Sequence, residues 1–208
     1  MATQPLRVKK IKFLLAWIIA NSIGGFLIGF LENNGAQFMA TLFFSGAIIG
    51  SLQWAVFRWI GTKGLQWTLW PIVSALGWII TTALSTLFIH LDSLTETLVS
   101  QVGLWEVFWL NLLLQPVWII CMAIAQGIIL GYHTRRRMRI LGIWLAASCL
   151  GAAIHGATNA VLCSQFCQTL PKLLVGIVAA KGWAIYGIIT GLAMLWTLNQ
   201  MLTNDQNS

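Results

Sequence analysis

The sequence predicts an all-α polytopic membrane protein with six transmembrane helices, arranged as three tandem hairpin repeats. Three observations predict it. First, the 208 residues are 58% hydrophobic and only 8% charged, with mean hydropathy +0.81. A soluble domain carries about 25% charged residues to cover its surface, so lipid must be the solvent here. Second, six stretches approach the roughly 20 apolar residues that cross about 30 Å of hydrocarbon: 11–31, 38–57, 66–89, 109–132, 140–162 and 182–200. Third, a pattern recurs three times. Each first half carries Trp, a small polar residue four on and Gly seven on: Trp17/Asn21/Gly24, Trp70/Ser74/Gly77 and Trp144/Ser148/Gly151. Each second half carries G-x-x-x-G: Gly46/Gly50, Gly127/Gly131 and Gly187/Gly191. Such repetition defines the architecture: residues 1–208 form one transmembrane domain of hairpins at about 1–62, 63–138 and 139–208.

The first stretch follows Arg7, Lys9 and Lys10 but precedes no small-residue cleavage site, so it reads as a retained helix. An N-terminus on the cytoplasmic side puts ten of the twelve Lys and Arg residues inside, including Arg58, Lys63, Arg135–Arg137 and Arg139. Lys172 and Lys181 fall outside, with Glu32, Asp92, Glu96 and Glu106 on or near that surface. Lys and Arg concentrate on the cytoplasmic side of membrane proteins, so the net charge of +7 reports topology rather than nucleic acid. Both termini are then cytoplasmic, and Arg135–Arg137 would attract anionic headgroups. Trp, small and Gly residues at i, i+4 and i+7 share one helix face and allow the close approach by which membrane helices associate.

The inner loops are short and basic; the outer loops differ. The first, Glu32–Gln37, is short. The second, His90–Phe108, holds Leu91, Leu94, Leu98, Val102 and Trp105 at helical spacing, as in an interfacial helix. The third, Cys163–Lys181, contains Pro171 and the apolar run Leu173–Ala180, expected as a second interfacial or half-buried segment.

Gly46–Arg58 reads G-A-I-I-G-S-L-Q-W-A-V-F-R, and Trp70–Trp78 reads W-P-I-V-S-A-L-G-W. This resembles an uncharacterised family of small multi-pass membrane proteins of cyanobacteria and other bacteria, with G-x-x-x-G-x-x-Q-W-x-x-x-R followed by W-x-x-x-(S/A)-x-x-G-W. The likeness covers 46–78 and weakens over 127–151, where Thr134 and Arg135 replace Gln-Trp and Ala152 replaces the last Trp. It implies an integral membrane protein, in plasma membrane or thylakoid, and carries over no catalytic residue.

Polar groups inside a membrane are costly and often functional. His155, Asn159 and Cys163 form one stripe at i, i+4 and i+8. They read either as a ligand site, with His155 holding a metal, haem or chlorophyll magnesium, or as an interhelical hydrogen-bonded pair beside a helix end. Cys163 and Cys167 can be a disulfide, free thiols or metal ligands; Cys121 and Cys149 read as core thiols. Glu106, Asn111 and Gln115 precede Pro116, which frees a carbonyl and can bend a crossing helix. They read as a polar vestibule, or as a water-facing Glu with packed amides. Gln53 can bond across helices. There is no H-E-x-x-H, no G-x-S-x-G, no phosphate-binding loop and no pair of intramembrane carboxylates.

The expected function is non-enzymatic: a membrane subunit packed against partner subunits or itself. The first alternative is a small transporter or channel, with a polar path on the pseudo-symmetry axis lined by Gln53, Asn111, Gln115, His155 and Asn159. The second is a haem- or chlorophyll-binding protein using His155.

Overall fold

The computed structural model describes residues 6–61, 65–85, 91–132 and 136–205. Lys63, His90, Arg135, Met1–Pro5 and residues 206–208 lie outside these. No strand occurs among the described residues. α1 spans Leu6–Asn33. A turn at Gly35, where φ of +92° suits a residue without a side chain, leads into α2, Gln37–Met39. A π-helical turn, Ala40–Phe44, joins α2 to α3, Ser45–Trp59. α4 spans Leu65–Ser85 and α5 spans Leu91–Val102. α6 is Glu106–Gly131, α7 is Arg137–Phe166, a 3₁₀ turn covers Lys172–Leu174, and α8 is Gly176–Asp205.

Among the described residues, six helical spans are long and apolar enough to cross a membrane: Lys10–Asn33, Gln37–Trp59, Trp67–Leu84, Glu106–Gly131, Arg137–Phe166 and Lys172–Met201. The chain is an all-α polytopic membrane protein, as its composition predicts. α5 is the expected helix of the second outer loop, and it packs on α6. The third loop differs from expectation. α7 carries Cys163 within its last turn, and the run Leu173–Ala180 forms the 3₁₀ turn and the first turns of α8. Val175 and Val178 are buried, so the run belongs to the sixth crossing rather than to a separate segment. α6 passes uninterrupted through Pro116, as α4 does through Pro71. Cys121 and Cys149 are free and half-buried rather than sealed in the core.

The six crossings close into a ring. α1 packs on α3, α3 on α4, α4 on α6, α6 on α7 and α7 on α8, and α8 returns to α1. The repeated glycines make these seams. In the first helix of each hairpin, a methyl added at Gly24, Gly77 or Gly151 would meet the hairpin's own second helix, at Ile49, Met122 and Tyr186 respectively. In the second helices, Gly50 faces Ser74, Gly127 faces Leu141 and Trp144, and Gly187 faces Ile18 and Asn21. Each second helix therefore packs on the first helix of the next hairpin, and the third hairpin closes on the first. The G-x-x-x-G pairs keep one face but not one level. Gly50 and Gly187 lie beside the small polar residues Ser74 and Asn21, whereas Gly127, like Gly191, lies beside the Trp one turn away. The outside of the ring is aliphatic, as in the row Ile11, Leu15, Ile19 and Ile23 along α1. Lipid tails are a compatible solvent for such a face.

Candidate functional site

The ring interior has two halves. Toward the end where α1 begins and α8 finishes, it is solid. Trp17, Trp70 and Trp144, one from each hairpin, are fully buried and meet around the axis. Their ring centroids are 6.4 Å (17–70), 6.4 Å (17–144) and 5.7 Å (70–144) apart, each pair edge to face. Quadrupoles favour such contacts. Phe57 packs against Trp17 and Trp70 at 5.2 and 5.1 Å.

A belt of side-chain hydrogen bonds ties this aromatic layer together. Trp70 Nε1 donates to Gln53 Oε1 at 2.9 Å, and Gln53 Nε2 donates to Asn21 Oδ1 at 3.0 Å. Gln126 Nε2 donates to Ser74 Oγ at 2.7 Å and, more weakly, to Gln53 Oε1 at 3.4 Å. Trp17 Nε1 donates to Thr190 Oγ1 at 3.1 Å. Gln53, Asn21, Ser74, Gln126 and Thr190 are all buried. In each closed bond, the Trp of a first helix donates to the second helix of the preceding hairpin. Gln126 thus occupies in α6 the place that Gln53 holds in α3, a role the motif alignment gave to Thr134. The signal was present as Gln126-Gly127, one residue ahead of the G-x-x-x-G pair.

Toward the other end, the interior opens. A cavity of about 210 Å³ is lined by residues of every crossing, among them Ile28, Thr41, Trp78, Gln115, His155 and Trp183. It adjoins a cleft of about 630 Å³ among α1, α6, α7 and α8. Glu32, Gln115, Asn159 and Ala179 line both. The candidates Asn111, Gln115, His155 and Asn159 therefore converge, with Asn111 in the outer cleft and His155 in the inner cavity. Gln53 stands apart in the hydrogen-bonded belt. Glu106 is exposed at the start of α6 and lines neither space, although its neighbours Trp105 and Val107 line the cleft.

His155 is buried and packs on Trp183 with centroids 4.9 Å apart. Its Nδ1 and Asn159 Oδ1 both crowd Gly182, where a methyl would collide with them. Neither atom has a well-formed hydrogen bond. Trp183 lies against the imidazole, and the cavity beside it measures about 210 Å³. Among the described residues, no group of three His, Cys, Asp or Glu side chains is placed to hold a metal ion. Cys163 and Cys167 form a disulfide, with Cα atoms 4.6 Å apart, and both line the cleft.

Glu32 was legible only as an outer acid, yet it is half-buried and lines both the cavity and the cleft. Its Oε1 accepts from Thr41 Oγ1 at 3.2 Å, and the Thr41 carbonyl accepts from Trp78 Nε1 at 2.6 Å. Thr41 sits in the π-helical turn, a backbone irregularity often found at functional sites. No family model, curated protein or solved structure matches the chain.

Proposed function

We propose that this chain is a non-enzymatic integral membrane protein that admits a small polar solute to an axial vestibule from one side, as a small carrier with one-sided access. The observation that carries the reading is the 210 Å³ cavity. All six crossings line it, it shares Glu32, Gln115, Asn159 and Ala179 with a wider cleft, and farther along the interior Trp17, Trp70 and Trp144 are packed and fully buried. Ligand sites are concave, mostly apolar and set with a few polar groups, which describes this space. The exposed Arg58, Arg136, Arg137 and Arg139 lie at the plugged end. The positive-inside rule then directs the vestibule away from the cytoplasm, in plasma membrane or thylakoid. The small-residue stripes pack between neighbouring helices of the ring.

Ala179 lines both spaces, whereas Ala193 lies on the same helix beyond Thr190, on the far side of the aromatic layer. In a Cys121→Ser/Cys149→Ser background, Ala179→Cys should react with a membrane-impermeant maleimide and Ala193→Cys should not. Proteoliposomes tested with labelled amines, sugars, amino acids and small carboxylates should exchange at least one class, and labelling at position 179 should block that exchange. An unreactive Ala179→Cys, or no exchange of any class, would overturn the reading.

A further inference from the structure

We infer that the inner cavity is a site for a small organic ammonium ion, held between the Glu32 carboxylate and the indole rings of Trp78, Trp118 and Trp183. This rests on the vestibule reading and names the class of solute. All four side chains line the same cavity of about 210 Å³. Trp78 and Trp118 stand 6.1 Å apart at an interplanar angle of 43°, and Trp183 is backed by His155 and Tyr186 at 4.9 and 5.1 Å. Trp78 and Trp118 thus pack on each other, and Trp183 packs on His155 and Tyr186. Trp78 Nε1 and Glu32 are both tied to Thr41, one through its carbonyl and the other through its hydroxyl.

A carboxylate removed from water needs a counter-charge or several strong donors. Glu32 receives one hydrogen bond, from a neutral hydroxyl, and no Lys or Arg pairs with it among the described residues. Among the described residues, the lining thus offers a carboxyl group and three indole rings but no Lys or Arg. Aromatic faces attract cations, and the attraction strengthens as the site dries. An alkylated ammonium meets both demands, because its charge is spread under apolar substituents and is weakly hydrated. A bare inorganic cation would need a shell of oxygens, and indole rings cannot supply it. The volume, below the roughly 300–1,000 Å³ of pockets for drug-sized ligands, restricts the guest to a compact ion.

The test is equilibrium binding of radiolabelled choline to the full chain in nanodiscs, competed with unlabelled choline, with its neutral carbon isostere 3,3-dimethylbutan-1-ol, and with sodium chloride. Saturable binding displaced by choline, with the isostere at least tenfold weaker, is expected. Glu32→Gln should lower affinity at least tenfold and Trp118→Leu should lower it several-fold, each with an unchanged thermal midpoint. Equal competition by the isostere, equal competition by sodium, or full affinity in Glu32→Gln would overturn the ammonium assignment. Should Glu32→Gln fail to fold, the isostere and Trp118→Leu decide the matter. An absence of choline binding while Ala179→Cys still reacts with maleimide would refute the ammonium site alone. An unreactive Ala179→Cys would refute the vestibule itself.

Discussion

Gln53 Oε1 accepts the indole proton of Trp70 at 2.9 Å, a bond from the first helix of one hairpin to the second helix of the hairpin before it. The same amide donates to Asn21 at 3.0 Å, so one side chain joins α1, α3 and α4. Removing it strands Trp70 Nε1 and Asn21 Oδ1 in a sealed interior. A buried group left without its partner costs about 1–3 kcal/mol. Gln53→Leu, close in size, is therefore expected to destabilise the chain by roughly that amount. Equilibrium unfolding in mixed micelles reads it; an unchanged midpoint would mean the belt contributes no net stability.

The threefold pattern is incomplete at one bond. Trp17 donates to Thr190 and Trp70 donates to Gln53. The corresponding pair is Trp144 Nε1 and Gln126 Oε1, both buried and both without a hydrogen-bond partner. Trp→Phe removes similar ring area at each site, so differences among the three variants isolate the hydrogen bond. Trp17→Phe and Trp70→Phe should each cost about 0.5–1.5 kcal/mol more than Trp144→Phe. Equal losses across the series would show that the third bond forms in the membrane.

The seams predict a sharp contrast between glycines. At Gly77, an added methyl would meet the Met122 backbone at 2.5 Å, and backbone cannot swing aside as a side-chain end can. At Gly142, an added methyl meets nothing within 4 Å. Gly77→Ala should push α4 off α6 and destabilise by more than 1–2 kcal/mol, on the order of other overpacking costs. Gly142→Ala should be neutral or should stabilise by up to about 1 kcal/mol through helix propensity. The comparison fails if both variants unfold alike.

These contrasts show what the sequence could and could not disclose. Composition and length were enough for the six crossings, because a helix in lipid must be both apolar and long. The Trp/small/Gly stripe was enough for the seams, because close approach demands small residues at fixed spacing. The levels of the second helices were not legible: G-x-x-x-G repeats along one face, and a shift of one turn leaves the pattern intact. Gln126 was hidden for that reason. Glu32 was hidden for another. Its position near the end of α1 matches a water-facing acid, and only the packing that brings Thr41 to it and Trp78 to Thr41 makes it part of the cavity wall. Asn111, Gln115, His155 and Asn159 were legible because amides and imidazole in mid-helix are costly wherever they point.

Gly182 is a glycine that sequence alone does not distinguish from the others. His155 Nδ1 and Asn159 Oδ1 press on the space that its missing side chain leaves. Gly182→Ala must displace the imidazole, and the imidazole packs on Trp183, a wall of the inner cavity. The variant should therefore impair solute binding more than folding. His155→Ala in the same chain removes the colliding ring, so Gly182→Ala/His155→Ala should recover thermal stability relative to Gly182→Ala alone. The thermal midpoints of the four chains in that cycle give the coupling. Additive losses would show that Gly182 and His155 do not meet as the structure places them.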